Sequence, residues 1–171
     1  MAKETNAVRR DRSPPVSIDD VDRKLLRLLA EDATRSYTEL GKAVHLSPPA
    51  VHERVERLKR DGVITGTVAT LDGPKIGCPL LAFIHVDTAG WGLTGPVLEL
   101  GDLADVEEIH TVTGDTCLIL KVRMRDTHDL EALLARIYDI EGVKRTRSYV
   151  VLSSYLERGP KPEIDLGAYA G

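Results

Sequence analysis

Two stretches of the chain carry side chains whose types and spacing suit molecular recognition. The first is Ser47-Pro48-Pro49-Ala50-Val51-His52-Glu53-Arg54-Val55-Glu56-Arg57-Leu58-Lys59-Arg60. Val51, Val55 and Leu58 recur at i, i+4, i+7, so a helix buries one stripe and turns Pro49, His52, Glu53 and Glu56 outward. Polar groups near the start of such a helix can meet base edges in a DNA major groove. Pro49, His52 and Glu53 are the expected base-facing residues. Arg54, Arg57 and Lys59 are the expected phosphate contacts, which fix position without reading sequence. The plain alternative is a helical hairpin with a solvated charged face. The second stretch is Val112-Thr113-Gly114-Asp115-Thr116-Cys117. A glycine turn exposes backbone N–H groups that can hold a carboxylate, and a neighbouring acid can hold an ammonium, so Gly114 and Asp115 suit a zwitterion. An ordinary hairpin turn is the competing reading.

Each stretch needs elements to aim it. Ser47 is expected to cap the first helix through its hydroxyl, the prolines after it lack the N–H that a first turn leaves free, and Asp61-Gly62 supplies a left-handed stop. Upstream, Tyr37–Val44 places Leu40, Ala43 and Val44 on one side, with His45-Leu46 as the joint. That is the outline of a helix-turn-helix, whose first helix braces across the DNA backbone while the second enters the groove. Thr38, in the bracing helix, and Ser47 join the expected DNA-contacting set. Before it, a helix from Ser17 or Asp19 to about Glu31 carries Val21, Leu25, Leu28 and Leu29 inward, with Asp19, Asp20 and Asp22 in a first turn whose dipole favours acids.

After Gly62, the β-branched run Val63–Asp72 reads as a strand, and residues 73–79 as a linker between domains spanning 17–72 and 80–158. Leu80–Thr88 is a strand. Gly90–Leu103 is a glycine-diluted helix carrying Leu93, Val97, Leu100 and Leu103. Val106–Thr113 and Cys117–Arg125 make a hairpin. Thr127 is expected to cap a helix with Leu130, Leu133, Leu134 and Ile137 inward, and a last strand runs from Val143 to about Tyr155. The order strand, helix, strand, strand, helix, strand predicts an α+β chain ending in a ferredoxin-like four-stranded antiparallel sheet with both helices on one face. Leu118, Leu120, Val122 and Met124 point one way and Ile119 the other, so the uncovered face also has apolar character and calls for a partner such as a second copy. Thr146 and Ser148 share a face with Val150 and Leu152.

Composition narrows the function classes. The 171 residues are 42% hydrophobic, enough for packed cores. No apolar run approaches a membrane span and the N-terminus has no apolar signal core, which predicts a cytoplasmic protein. Cys78 and Cys117 have no metal-ligand spacing, so neither metal nor cofactor is expected. His45, His52, His85, His110 and His128 are dispersed, no phosphate-binding glycine loop occurs, and Cys117 sits in an apolar strand; an enzymatic reading would need turnover dependent on Cys117 or Asp115. The net charge of −4 divides unevenly: residues 1–62 hold 13 Lys+Arg against 11 Asp+Glu, the remainder 10 against 16. Local charge sets phosphate contact, so a mildly basic head on an acidic body is compatible with DNA. Residues 1–16, with Arg9, Arg10 and Arg12, read as a disordered arm or as a basic arm along the phosphate backbone, and 159–171 as a tail.

Several motifs in order sharpen this reading. Asp19-Asp20-Val21-Asp22-Arg23-Lys24-Leu25-Leu26, Thr38-Glu39-Leu40-Gly41, Leu46-Ser47-Pro48, Val51 through Leu58 and Gly62-Val63-Ile64 resemble the DNA-binding half of the Lrp/AsnC family of feast/famine transcription regulators, and the likeness extends over roughly residues 17–158. The resemblance implies an N-terminal winged helix-turn-helix and a C-terminal βαββαβ domain. In the family that domain dimerises, is frequently built further into tetramers or octamers, and binds a small effector, usually an amino acid. The family's loop typically runs Gly-Asp-x-Asp, but here the fourth position is Cys117: either the ammonium is held elsewhere, or the effector has an apolar side chain. The family also places small hydroxyl residues of the last strand near the effector, between subunits, which adds Thr146 and Ser148 to Gly114, Asp115 and Cys117. The expected function is sequence-specific transcriptional regulation responsive to an amino acid. The alternative is an amino-acid-sensing protein whose helical head docks on a protein partner.

Overall fold

The computed structural model describes residues 16–90 and 95–162, and the chain divides after Ala69 into two compact units. Thr70–Tyr155 forms one; the described residues before it, joined by the chain from Leu156, form the other.

The helical unit comprises α1 (Asp20–Glu31), α2 (Tyr37–Val44) and α3 (Pro48–Arg60). α1 and α2 each open on a reciprocal capping box, Asp19 with Asp22 and Ser36 with Glu39, which satisfies amides that a first turn leaves unpaired. Ser47 does stand at the cap of α3, but its side chain makes no capping hydrogen bond, contrary to expectation. Pro49, at the second helical position, has removed one of the two amides that a cap would serve. Between α2 and α3 the chain turns within very little space. His45 closes α2 in the left-handed region at φ 59°, Leu46 N–H donates to the Gly41 carbonyl at 3.0 Å, and a Cβ on Gly41 would stand 2.5 Å from the Leu46 oxygen. Only glycine fits there. Leu25, Leu40, Val44, Val51 and Val55 form the core, with Leu28, Leu29, Tyr37 and Ile64 packed on it.

The strand expected over 63–72 does not form. Gly62 reverses the chain at φ 73°, and the Val63 and Ile64 amides both donate back to the Leu58 carbonyl, at 2.9 and 3.0 Å. Among the described residues no neighbour pairs with the rest of the run, and β-branched residues without a ladder make no sheet. Within the expected linker, Pro74–Ile76 forms a single 3-10 turn.

The sheet unit contains β1 (Leu80–Thr88), β2 (Val106–Thr111), β3 (Leu118–Met124) and β4 (Val143–Val150), antiparallel in the order β2-β3-β1-β4, with α4 (Gly95–Leu98) and α5 (Thr127–Tyr138). This is the ferredoxin-like arrangement. Where a helix was expected over 90–103, only α4 and a 3-10 turn at Glu99–Asp102 are found, and residues 91–94 lie outside the described set. Asp126, not Thr127, caps α5, accepting from the amides of His128 and Asp129 at 2.9 and 3.1 Å. β4 stops at Val150 rather than near Tyr155: Val151 N–H still reaches the Leu81 carbonyl at 2.9 Å, but β1 begins at Leu80, so the chain beyond has no strand to pair with.

One sheet face, with Ile84, Val86, Leu118, Leu120, Val122 and Met124, packs with Val97, Leu100, Leu130, Leu133 and Ile137 into a single core. The pairs Ile84↔Ser148 and Val86↔Thr146 put both hydroxyl residues on that helix-covered face. The opposite face carries Leu81, Phe83, His85 and Asp87 beside Ile119, Lys121 and Arg123 on one flank and Arg145, Arg147 and Tyr149 on the other. Apolar and charged side chains alternate across it.

Candidate nucleic-acid and effector sites

Burial of Val51, Val55 and Leu58 fixes the roll of α3 about its axis. Pro49, His52, Glu53, Lys59 and Arg60 are left exposed along its outer side, and Thr38 and Ser47 are exposed nearby in sequence, on α2 and at the head of α3. The His52 ring meets Tyr37 of α2 edge-on, with centroids 5.2 Å apart, so its orientation is set by packing. Lys59 pairs with Glu56 one turn back at 2.8 Å, a surface contact that opens at little cost.

Arg54 and Arg57, expected to meet phosphates, are both held by acids near the start of α1. Arg54 Nη1 donates to Asp19 Oδ2 at 2.7 Å and Asp22 Oδ1 at 2.9 Å, while Arg57 Nη2 donates to Asp22 Oδ2 at 2.5 Å and its Nη1 to the Ser17 carbonyl at 3.4 Å. Asp22 is only 1% exposed, and a carboxylate taken out of water needs compensating charge. The two arginines supply it and tie α1 to α3. The Asp22 amide, and after it the Arg54 guanidinium, hold the Asp19 carboxyl below its ordinary range; the acids in turn raise both guanidinium pKa values. Together with Ser17, Ala50, Glu53 and Arg60 these groups line an open groove of about 460 Å³. The only sequence signal for this cluster was a pair of acids three apart in a first turn, which a helix dipole already explains.

In the sheet unit, Gly114 adopts φ 131°, which a side chain would resist, and the Asp115 side chain is 81% exposed. Its partner is a residue that sequence reasoning missed. Arg147 Nη1 donates to Asp115 Oδ2 at 3.1 Å and Nη2 to the Asp115 carbonyl at 3.3 Å, spanning 32 positions of sequence. This contact is the main reason the Asp115 carboxyl sits below its usual range. Within one protomer, Thr146 and Ser148 do not join Asp115, because strand alternation sends them to the face opposite Arg147. Cys117 is half-buried against the core, its Sγ 4.0 Å from the Thr88 carbonyl. Thr116 is buried. Arg145 Nε meets Asp87 Oδ2 at 3.0 Å.

Among the described residues no group of three or more His, Cys, Asp or Glu side chains could hold a metal ion, and no helix is long and apolar enough to cross a membrane.

Residues 18–59 match the model of the AsnC-type helix-turn-helix domain, and residues 81–160 that of the Lrp/AsnC ligand binding domain. The chain is 36% identical over 145 residues to the HTH-type transcriptional regulator Rv2324 of Mycobacterium tuberculosis, covering 84% of this chain and 97% of that protein. The structure of Escherichia coli AsnC superposes with a TM-score of 0.79 at 30% identity, over 86% of this chain and all of that one. The Leucine response regulatory protein LrpA of M. tuberculosis does so with a TM-score of 0.75 at 33% identity, over 85% and 100%.

Proposed function

Because the chain belongs to the Lrp/AsnC family of transcription regulators, we propose that it is a cytoplasmic, sequence-specific DNA-binding regulator whose binding or assembly responds to an amino acid. The observation that carries this reading is the exposed side of α3, positioned by the tight Gly41–Leu46 turn and presenting Pro49, His52 and Glu53 for base edges. Lys59, Thr38 and Ser47 are the phosphate-side contacts. Arg54 and Arg57 serve the α1–α3 tie first and reach phosphate with their outer edges. The mixed apolar and charged open sheet face supports a dimer, which would present two copies of α3 to half-sites one helical turn, roughly 34 Å, apart or a multiple of it. A glycine turn with Asp115 and Arg147 beside it offers both charges that an amino acid needs, and likeness to a leucine-response protein supports the same class of effector. Effector binding shifts the equilibrium between assemblies by no more than its difference in affinity for them.

Fluorescence anisotropy against the protein's own upstream DNA and against random duplex, over a salt series and with or without each of the twenty amino acids, tests this. Steep salt dependence, tighter binding to one sequence and an amino-acid effect are expected. One observation favours a second reading: Asp19 and Asp22 neutralise two of the basic residues of α3, as suits a head that docks on a protein. Absence of salt-dependent DNA binding would favour that alternative.

A further inference from the structure

We propose that Arg147 is the carboxylate anchor of the effector site, and that an amino acid binds by exchanging partners with the Asp115–Arg147 pair. Its carboxylate takes the guanidinium and its ammonium takes Asp115. The proposal rests on the effector reading above and assigns a residue and a charge logic to it.

Three observations lead there. The pair joins the glycine turn to β4 through both terminal nitrogens of Arg147, at 3.1 and 3.3 Å, so the guanidinium already holds a two-pronged pose towards an oxygen pair. Its Nε is buried without a hydrogen-bond partner among the described residues, as is Asp87 Oδ1 on the neighbouring strand. The Thr116 hydroxyl and Arg145 hold the Asp87 carboxyl below its ordinary range, but that hydroxyl has one proton, and the carbonyls of Val86 and Leu118, both 3.3 Å away, compete for it. This end of the sheet therefore keeps the Arg147 Nε–H as a donor in reserve. Lastly, the cluster is neutral, with Asp87 and Asp115 against Arg145 and Arg147.

Neutrality selects the ligand class. A zwitterion brings one charge of each sign, so every charge has a partner before and after the exchange, whereas a dianion or a simple amine would leave one unmatched. Within one protomer opening costs little, because an ion pair with so exposed a carboxylate is weak. A second acid at position 117 is then unnecessary, which accounts for the cysteine found there.

The test uses the full-length protein. A thermal-shift screen of the twenty L-amino acids picks the strongest ligand, and calorimetric titration then compares that amino acid with its α-amide on wild type, R147Q and R147K. Wild type is expected to prefer the acid. R147Q should weaken the acid by about tenfold or more while barely changing the amide, and R147K should retain the preference. Equal weakening of acid and amide, or an unchanged acid affinity in R147Q, overturns the proposal and leaves the effector reading standing. If no amino acid shifts the wild-type melting temperature, the effector reading fails and takes the proposal with it. Should R147Q not fold, D115N decides: it must lose the preference for the amino acid over its deaminated analogue, and keeping that preference refutes the exchange.

Discussion

Replacing Asp22 with asparagine removes the charge on which two arginines converge. Losing one partner of a buried ion pair costs about 3–5 kcal/mol when the remaining charge is trapped. Here it is not fully trapped. The Arg54 side chain is 31% exposed and keeps Asp19 at 2.7 Å, the Arg57 side chain is 33% exposed, and the asparagine oxygen can still accept one bond. Discounting for that solvent access leaves an expected loss of about 1–3 kcal/mol. In a unit of about 60 residues, 2 kcal/mol lowers the melting temperature by roughly 10 °C. Urea denaturation, with hydrogen exchange resolving the amides of α1 and α3, measures this. In a double-mutant cycle with Arg54→Gln the combined loss should fall short of the sum by about 1 kcal/mol, since both changes break one contact. Additivity within about 0.5 kcal/mol, or an unchanged Asp22→Asn protein, would refute the claim that Asp22 links the two helices.

Other perturbations follow from the same geometry. Gly41→Ala drives a Cβ to 2.5 Å from the Leu46 carbonyl oxygen, so a loss of about 1–3 kcal/mol and of DNA binding is expected in melting and anisotropy measurements; wild-type behaviour in both would contradict the tight turn. Lys59→Ala should lower the salt slope of DNA binding by about one for every sequence, whereas His52→Ala should reduce the ratio of specific to random affinity, and equal losses on both DNAs for His52→Ala would remove it from base reading. Phe83→Asp or Tyr149→Asp on the open sheet face is expected to yield monomers by light scattering, so dimers that survive both changes would place the interface elsewhere. Folding lowers the Asp19 pKa, through the Asp22 amide first and Arg54 second, so its stabilisation is complete above the unfolded carboxylate value near ~4 and fades as pH falls through the lower folded value. Exchange protection in α1 should thus be flat from neutral pH down to about 5 and drop below about 4, with Asp19→Asn removing part of the drop; an Asp19-dependent loss above pH 5 would contradict the assignment.

The helix-turn-helix and the ferredoxin-like sheet were legible because periodicity reports burial directly. The stripe Val51, Val55, Leu58 and the alternation along Leu118–Met124 are both realised in the fold. Failures came where a residue's state depends on a neighbour that the local sequence does not name. Val63–Asp72 had strand composition but, among the described residues, no strand beside it, and β4 stopped opposite the start of β1. The pairing of Arg54 and Arg57 with Asp22 was not legible because Asp22 lies 32 and 35 positions away, and Arg147 was passed over because its acid lies 32 away. Caps were misread for a local reason: Asp126 and Thr127 are both good cap residues, and only backbone geometry decides between them.

The residue closing α2 has a practical corollary. His45 holds a left-handed backbone that ordinarily suits glycine, at a conformational cost of about 1 kcal/mol. Natural selection has thus left a stability reserve untapped at this hinge. A protein engineer could draw on it with a single glycine, and the tougher scaffold could then tolerate more daring changes along α3.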